Sequence, residues 1–135
     1  MIENYTLAAL VARLILGMLF FFQGFDKVFR IGISNVSDEF SNQLGKLRMP
    51  RSIFTFIAFV TSYVELIAGL FLFIGLFVDV ILLILVVDMI MVALAFSIIN
   101  PIWDMKIYLP RLILLLFLLC IPTAWFAFGL DQLLK

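Results

Sequence analysis

The chain has 135 residues, 66% of them apolar, with nine basic and nine acidic side chains and a mean hydropathy of +1.27. That apolar share is far above the roughly 45–50% of soluble domains, and the length suits one small domain, here the whole of 1–135. Zero formal charge with no basic block argues against nucleic acid as a partner. One cysteine, Cys120, and no histidine argue against a disulfide, a CxxC pair, a metal or haem centre and an independent enzyme.

Four apolar stretches have the roughly 20 residues needed to cross a hydrocarbon core: 6–29, 53–77, 80–99 and 109–130. The expected fold is an all-α membrane protein, an antiparallel four-transmembrane-helix bundle. No strand alternation competes, and backbone satisfaction in lipid favours helices. The N-terminus lacks a basic region and an A-x-A-like cleavage site, so the first helix is expected to stay in the mature chain. Asp79 marks a tight turn and Asn100-Pro101 closes the third span. Pro110 suits the first turn of the fourth helix, and Pro122 is expected to kink it. Between the first two spans, Phe40, Leu44 and Leu47 follow Ser37, a candidate cap, with Gly45 as a stop. That spacing reads either as a short amphipathic helix on the interface or as a plain connector.

Lys27, Arg30, Lys46, Arg48, Arg51, Lys106 and Arg111 all fall on one side of the four spans. The positive-inside rule then makes the 1–2 and 3–4 loops cytoplasmic and places both termini outside the bacterial inner (cytoplasmic) membrane. On that side the Asn35-Val36-Ser37 sequon carries no meaning. Lys27, Arg111, Trp103 and Trp125 suit interfacial anchors, with Lys27 snorkelling from the end of helix 1. Arg111 is also free to pair with Asp104 or with lipid phosphate.

Ionisable residues inside the spans carry most of the functional information. Charged types cost roughly +2.5 to +3.5 kcal/mol at a helix centre on insertion scales, so each needs a partner or a purpose. Counting 1.5 Å per residue from the outer face, Arg13 lies about 10 Å deep, Glu65 about 15 Å and Asp88 about 12 Å. Each sits on a stripe with small residues: Arg13 with Gly17, Phe20, Gly24 and Lys27; Glu65 with Ala58, Thr61, Gly69 and Leu72; Asp88 with Ile84, Val92 and Ala95. Gly17, Gly24 and Gly69 allow close helix packing. The expectation is an Arg13–Glu65–Asp88 cluster, with Thr61, Ser62 and Tyr63 as secondary hydrogen-bond partners. One arginine against two carboxylates leaves a net −1, so Glu65 and Asp88 are expected to share a proton. Such a cluster is either an interhelical lock or a site for a ligand or proton. The helix 4 stripe of Arg111, Leu115, Leu118, Pro122, Trp125 and Gly129 faces away from Cys120, which reads as an apolar filler. The methionines and phenylalanines read as packing and lipid-facing residues.

Several stretches resemble the DoxX family of small four-helix bacterial membrane proteins. They are Ala12-Arg13-Leu14-Ile15-Leu16-Gly17, Gln23-Gly24-Phe25-Asp26-Lys27, Pro50, the run from Tyr63 through Glu65 and Gly69 to Gly75 and Phe77, and Asp88-Met89 with Ala93 and Ala95. The family's glycine-acid-lysine look is altered here to Gly24-Phe25-Asp26-Lys27. The resemblance implies an integral membrane subunit linked to quinone redox chemistry, as in thiosulfate:quinone oxidoreductase. Arg13, Gly24, Lys27, Glu65 and Gly69 match the family's polar pattern. The partners it implies are the lipid bilayer and other membrane or soluble redox subunits, or a homo-oligomer, with quinone as the only cofactor candidate. The alternatives are a non-catalytic structural or assembly subunit and a proton-coupled carrier of a small solute. The second suits four unbroken helices poorly.

Overall fold

A computed structural model describes residues 4–99, 105–126 and 128–133, and every described element is helical. Helix α1 (Asn4–Phe25) continues into a π-helical turn, Asp26–Ile31. Helix α2 (Ile33–Leu44) and a 3-10 turn (Gly45–Leu47) fill the first connection, followed by α3 (Arg51–Ile74), α4 (Val78–Ile99) and α5 (Met105–Cys120). A 3-10 turn at Thr123–Trp125 and a short α6 (Leu130–Leu133) follow. Asn100, Pro101, Trp103 and Asp104 lie outside the described residues, and so do the expectations attached to them.

Helices α1, α3, α4 and α5 touch in cyclic order, each packing on two of the others. Their inward stripes form a core that includes Leu16, Phe20, Leu72, Leu85, Leu115 and Leu118, all nearly free of solvent contact. The outward faces are as apolar as the core: Phe56 is 68% exposed, Val87 62% and Ile113 61%. A helix hydrophobic all round needs an apolar surround, and a continuous exposed apolar belt is untenable in water. Three helices are long and apolar enough to cross a membrane, Asn4–Ile31, Arg51–Ile74 and Val78–Ala95, beside a shorter apolar one, Tyr108–Cys120.

Several boundaries differ from the expectation. Helix α3 stops at Ile74, not near 77. Gly75 takes a left-handed φ of 73°, its N–H donates to Leu72 O, and Leu76 N–H donates to Phe71 O. Those two bonds form a Schellman stop. The fourth apolar helix ends at Cys120, because the residue before a proline is driven out of the helical region and Pro122 then cannot donate. Pro122 therefore ends the helix rather than kinking it. Pro110 sits inside α5 because the helix begins at Met105. On α4, Ile84 faces outward, 40% exposed, and the buried face is Ile81, Leu85, Asp88 and Met89. Ser37 is not a cap: it lies within α2, buried, with its hydroxyl 2.9 Å from that of Thr55. Helix α2 packs on α3 and stops at Leu44 with Gly45 as its C-cap, and the 3-10 turn that follows ends at Arg48, whose φ is 47°.

Candidate functional site

The contact between α1 and α3 sets the site. A Cβ at Gly17 would lie 2.7 Å from Phe73 N, one at Gly24 would lie 2.6 Å from Leu66 Cα, and one at Gly69 would lie 2.7 Å from Phe21 Cα. These glycines let the two backbones touch and fix an antiparallel register, in which each step up α1 is a step down α3. With Gly24 against Leu66, the side chains flanking Gly24 on the same face meet Glu65.

Lys27 Nζ lies 2.8 Å from Glu65 Oε1 and 2.7 Å from Oε2. It straddles the carboxylate, but its hydrogen bond is directed to Oε1, leaving Oε2 with the charge contact alone. Gln23 Nε2 donates to the same Oε1 at 3.0 Å. Glu65 is 1% exposed and the Lys27 side chain 17%, so Lys27 does not snorkel to the interface but turns inward. It emerges from the π-helical turn, where Gly32 N–H bonds back five residues to Lys27 O. Such turns are frequent at functional sites. Asp88 and Arg111 complete the neighbourhood. Asp88 is within electrostatic range of Glu65, Lys27 and Arg111, and Arg111 is within range of both carboxylates. The Arg111 guanidinium also sits 5.9 Å over the Phe20 ring, near the limit of a cation–π contact, and so belongs to the interior rather than to an interfacial anchor.

Arg13 is not in this cluster. The glycine register carries it to the level of the α3–α4 turn, about a dozen residues of helix, on the order of 18 Å, from Glu65. There it is 2% exposed and donates from Nη2 to Phe128 O at 2.6 Å, packed against Gly75 and Gly129 with Asp131 in electrostatic range. Depth counting brought Arg13 beside Glu65 because it started helices 1 and 2 at a common level. In fact α1 begins well beyond the end of α3, and its first turns pack on the C-terminal segment. Tyr5 stacks on Trp125 with centroids 4.3 Å apart.

The secondary partners are also placed elsewhere. Thr61 donates to its own helix at Ile57 O, 3.0 Å away. Ser62 is fully buried, and its Oγ has no partner among the described residues. Tyr63 packs on Phe59 at 4.5 Å. Gln23, Lys27 and Arg111 are the partners that sequence reasoning did not assign to Glu65. The usable signal was the four-residue spacing of Gln23 and Lys27 around Gly24 on one helix face.

With Lys27 and Arg111 facing Glu65 and Asp88, the formal charges balance, and the net −1 that called for a shared proton does not arise. Beside the cluster, between α1 and α5, runs a groove of about 560 Å³. Ile15, Met18, Leu19 and Phe22 wall it, and Gln23, Asp26, Lys27 and Arg111 close one end. It can take a hydrocarbon tail and present cationic donors to an acceptor head. Among the described residues, no group of three or more Cys, Asp or Glu side chains is placed to hold a metal.

The DoxX family model matches residues 8–98, more than half of the chain and including Glu65, its α1 partners and Asp88. The chain belongs to the DoxX family. With its apolar helices, this makes it a multi-pass membrane protein. Neither curated proteins nor solved structures give a significant match. The matched segment ends before α5, so Arg111 and the C-terminal turn come from outside it.

Proposed function

We infer that this DoxX protein crosses the bacterial cytoplasmic membrane four times as an antiparallel bundle and serves as a membrane subunit of a redox assembly. In this reading the α1–α5 groove holds the head of a quinone. The 16-residue α5 reaches about 24 Å, and the Ile121–Trp125 segment extends it toward full span. The basic residues of 27–51 and Arg111 favour the cytoplasmic side for that end of the bundle. The observation that carries the ligand reading is the groove itself: its wall is apolar and exposed to lipid, and Lys27, Gln23 and Arg111 meet at its end. Few and convergent polar groups in an apolar cleft are what orient a small ligand. A quinone would supply two-electron, two-proton chemistry there. Lys27 and Arg111 would donate to its carbonyl oxygen, while Glu65 holds Lys27 in position.

A second reading has its own support. Gln23 of α1 and Lys27 of its π-helical continuation both bond to Glu65 of α3, which is an interhelical lock that needs no ligand. Lipid extraction and mass spectrometry of mildly purified protein separate the two. Quinone present in the native chain and lost in Glu65→Gln, with the folded protein and its partners still recovered, supports the site. Consistent absence of quinone, with a lowered midpoint and lost partner proteins in Glu65→Gln, overturns it in favour of a structural subunit.

A further inference from the structure

On the far side of the polar cluster from the α1–α5 groove lies a second one, of about 360 Å³, between α3 and α4. Its walls include Phe56, Val60, Val87 and Met91, all exposed on the lipid-facing surface. Two polar side chains line it. Thr61 spends its hydroxyl proton on Ile57 O. Asp88 is 6% exposed, and its Oδ2 has no partner among the described residues. Of the two cations in electrostatic range of Asp88, Lys27 is committed to Glu65 at 2.7 Å, and Arg111 makes no hydrogen bond to Oδ2. A buried carboxyl oxygen without a donor is costly, and in an otherwise apolar groove the donor must come from what enters.

We propose that the α3–α4 groove binds a neutral lipophile with a hydroxyl head, its O–H donating to Asp88 and its tail lying along Phe56, Val60, Val87 and Met91. The volume falls in the range of small-ligand pockets. Charge chooses the head. Lys27 and Arg111 already balance Glu65 and Asp88, so a neutral donor preserves the balance. An anionic head would face two carboxylates, and a cationic one would leave a net charge in hydrocarbon. The Asp88 carboxyl selects a donor where the α1–α5 groove offers cations to an acceptor, so this site stands independently of the quinone reading.

The test uses the full chain in lipid nanodiscs and a diazirine-tailed phenol, with crosslinks mapped by mass spectrometry. Labelling is expected on the α3–α4 wall. para-Decylphenol is expected to compete at least about tenfold better than its methyl ether, the difference a hydrogen bond to a buried acceptor makes. Asp88→Leu should reduce that preference to within about twofold. Val87→Trp, which fills the groove from its exposed wall and leaves Asp88 intact, should abolish labelling without moving the unfolding midpoint. Leu19→Trp, which fills the α1–α5 groove, should leave labelling unchanged, so failure of the quinone site would not mimic failure here. Equal competition by the ether, meaning a crevice for lipid chains only, overturns the proposal. So does stronger competition by decylamine or decanoate, or labelling confined to other helices.

Discussion

The structure pairs Glu65 with Lys27 where the sequence pointed to Arg13, and a double-mutant cycle decides between the two. Lys27 touches both carboxylate oxygens of a residue that is 1% exposed. Removing one partner of such a pair leaves a buried charge and costs about 3–5 kcal/mol. Gln23 still bonds Oε1 and Arg111 is still in range, so Lys27→Met should fall near the low end, about 3 kcal/mol. Glu65→Gln should cost about 1 kcal/mol, because the freed Lys27 is close enough to the surface to reach water. In the double variant no charge is stranded, and the loss should be about 1–2 kcal/mol, a coupling of roughly 2 kcal/mol. Neutral interhelical hydrogen bonds in membranes average only about 0.6 kcal/mol, so a coupling above about 1 kcal/mol is the mark of the ion pair. Arg13→Met combined with Glu65→Gln should instead be additive within about 0.5 kcal/mol, as expected for sites well beyond 10 Å apart. Reversible unfolding in mixed micelles, followed by circular dichroism, measures all four corners of each cycle. A Lys27–Glu65 coupling under about 0.5 kcal/mol, or an Arg13–Glu65 coupling above 1 kcal/mol, would refute the register derived from the glycines.

Three other outcomes follow from the packing. At Gly24 a Cβ would meet the Leu66 backbone, which cannot swing aside as a side chain can. Gly24→Ala should therefore cost about 1–3 kcal/mol in the same unfolding assay, whereas Gly45→Ala, with nothing within 4 Å of its Cβ, should be silent. Asp131 accepts from Phe77 N–H at 2.9 Å and Val78 N–H at 3.2 Å, capping α4 from a distant segment; Asp131→Ala should cost about 1–2 kcal/mol, and an unchanged midpoint would remove that role. With Cys120 replaced by Ser, a cysteine at Asp79 should react with a membrane-impermeant maleimide in intact cells and one at Asp38 only after permeabilisation; the reverse pattern would invert the proposed orientation.

The apolar spans were legible because hydropathy is a property of each segment alone. The charge pairing was not, because register depends on which small residues of two helices meet. Gly17, Gly24 and Gly69 were each readable as close-approach sites, yet their one-dimensional spacing leaves open how the helices slide. Seating Gly24 against Leu66 moves Arg13 away from Glu65 and brings in Lys27, which its place near a helix end disguised as a snorkelling anchor. The end of the fourth apolar helix was hidden for a different reason: apolar residues run on past Pro122, so composition conceals the break that backbone geometry imposes. Asp131 had no local signal at all, since the N–H groups it caps lie over fifty residues earlier in the chain.

The two buried charge centres therefore differ in kind. At the α3–α4 turn, Arg13 binds a backbone carbonyl and Asp131 binds backbone N–H groups, with Asp131 N–H returning a bond to Gly75 O at 3.2 Å. Phe77 is held there at a φ of 50°, a conformation a phenylalanine adopts only when its surroundings impose it. Nothing in that knot can move without releasing the turn between α3 and α4. Around Glu65 the bonds run between side chains of α3 and of α1 with its π-helical continuation, and among the described residues Asp88 Oδ2 has no donor. Each flank of that cluster opens onto an apolar groove. Side-chain bonds can be exchanged for bonds to a ligand at the cost of a rotamer, and backbone bonds cannot. These polar positions thus divide by what they hold: Arg13 ties α1 to the C-terminal segment, and Lys27 with Glu65 ties the end of α1 to α3 beside the groove proposed to take a ligand.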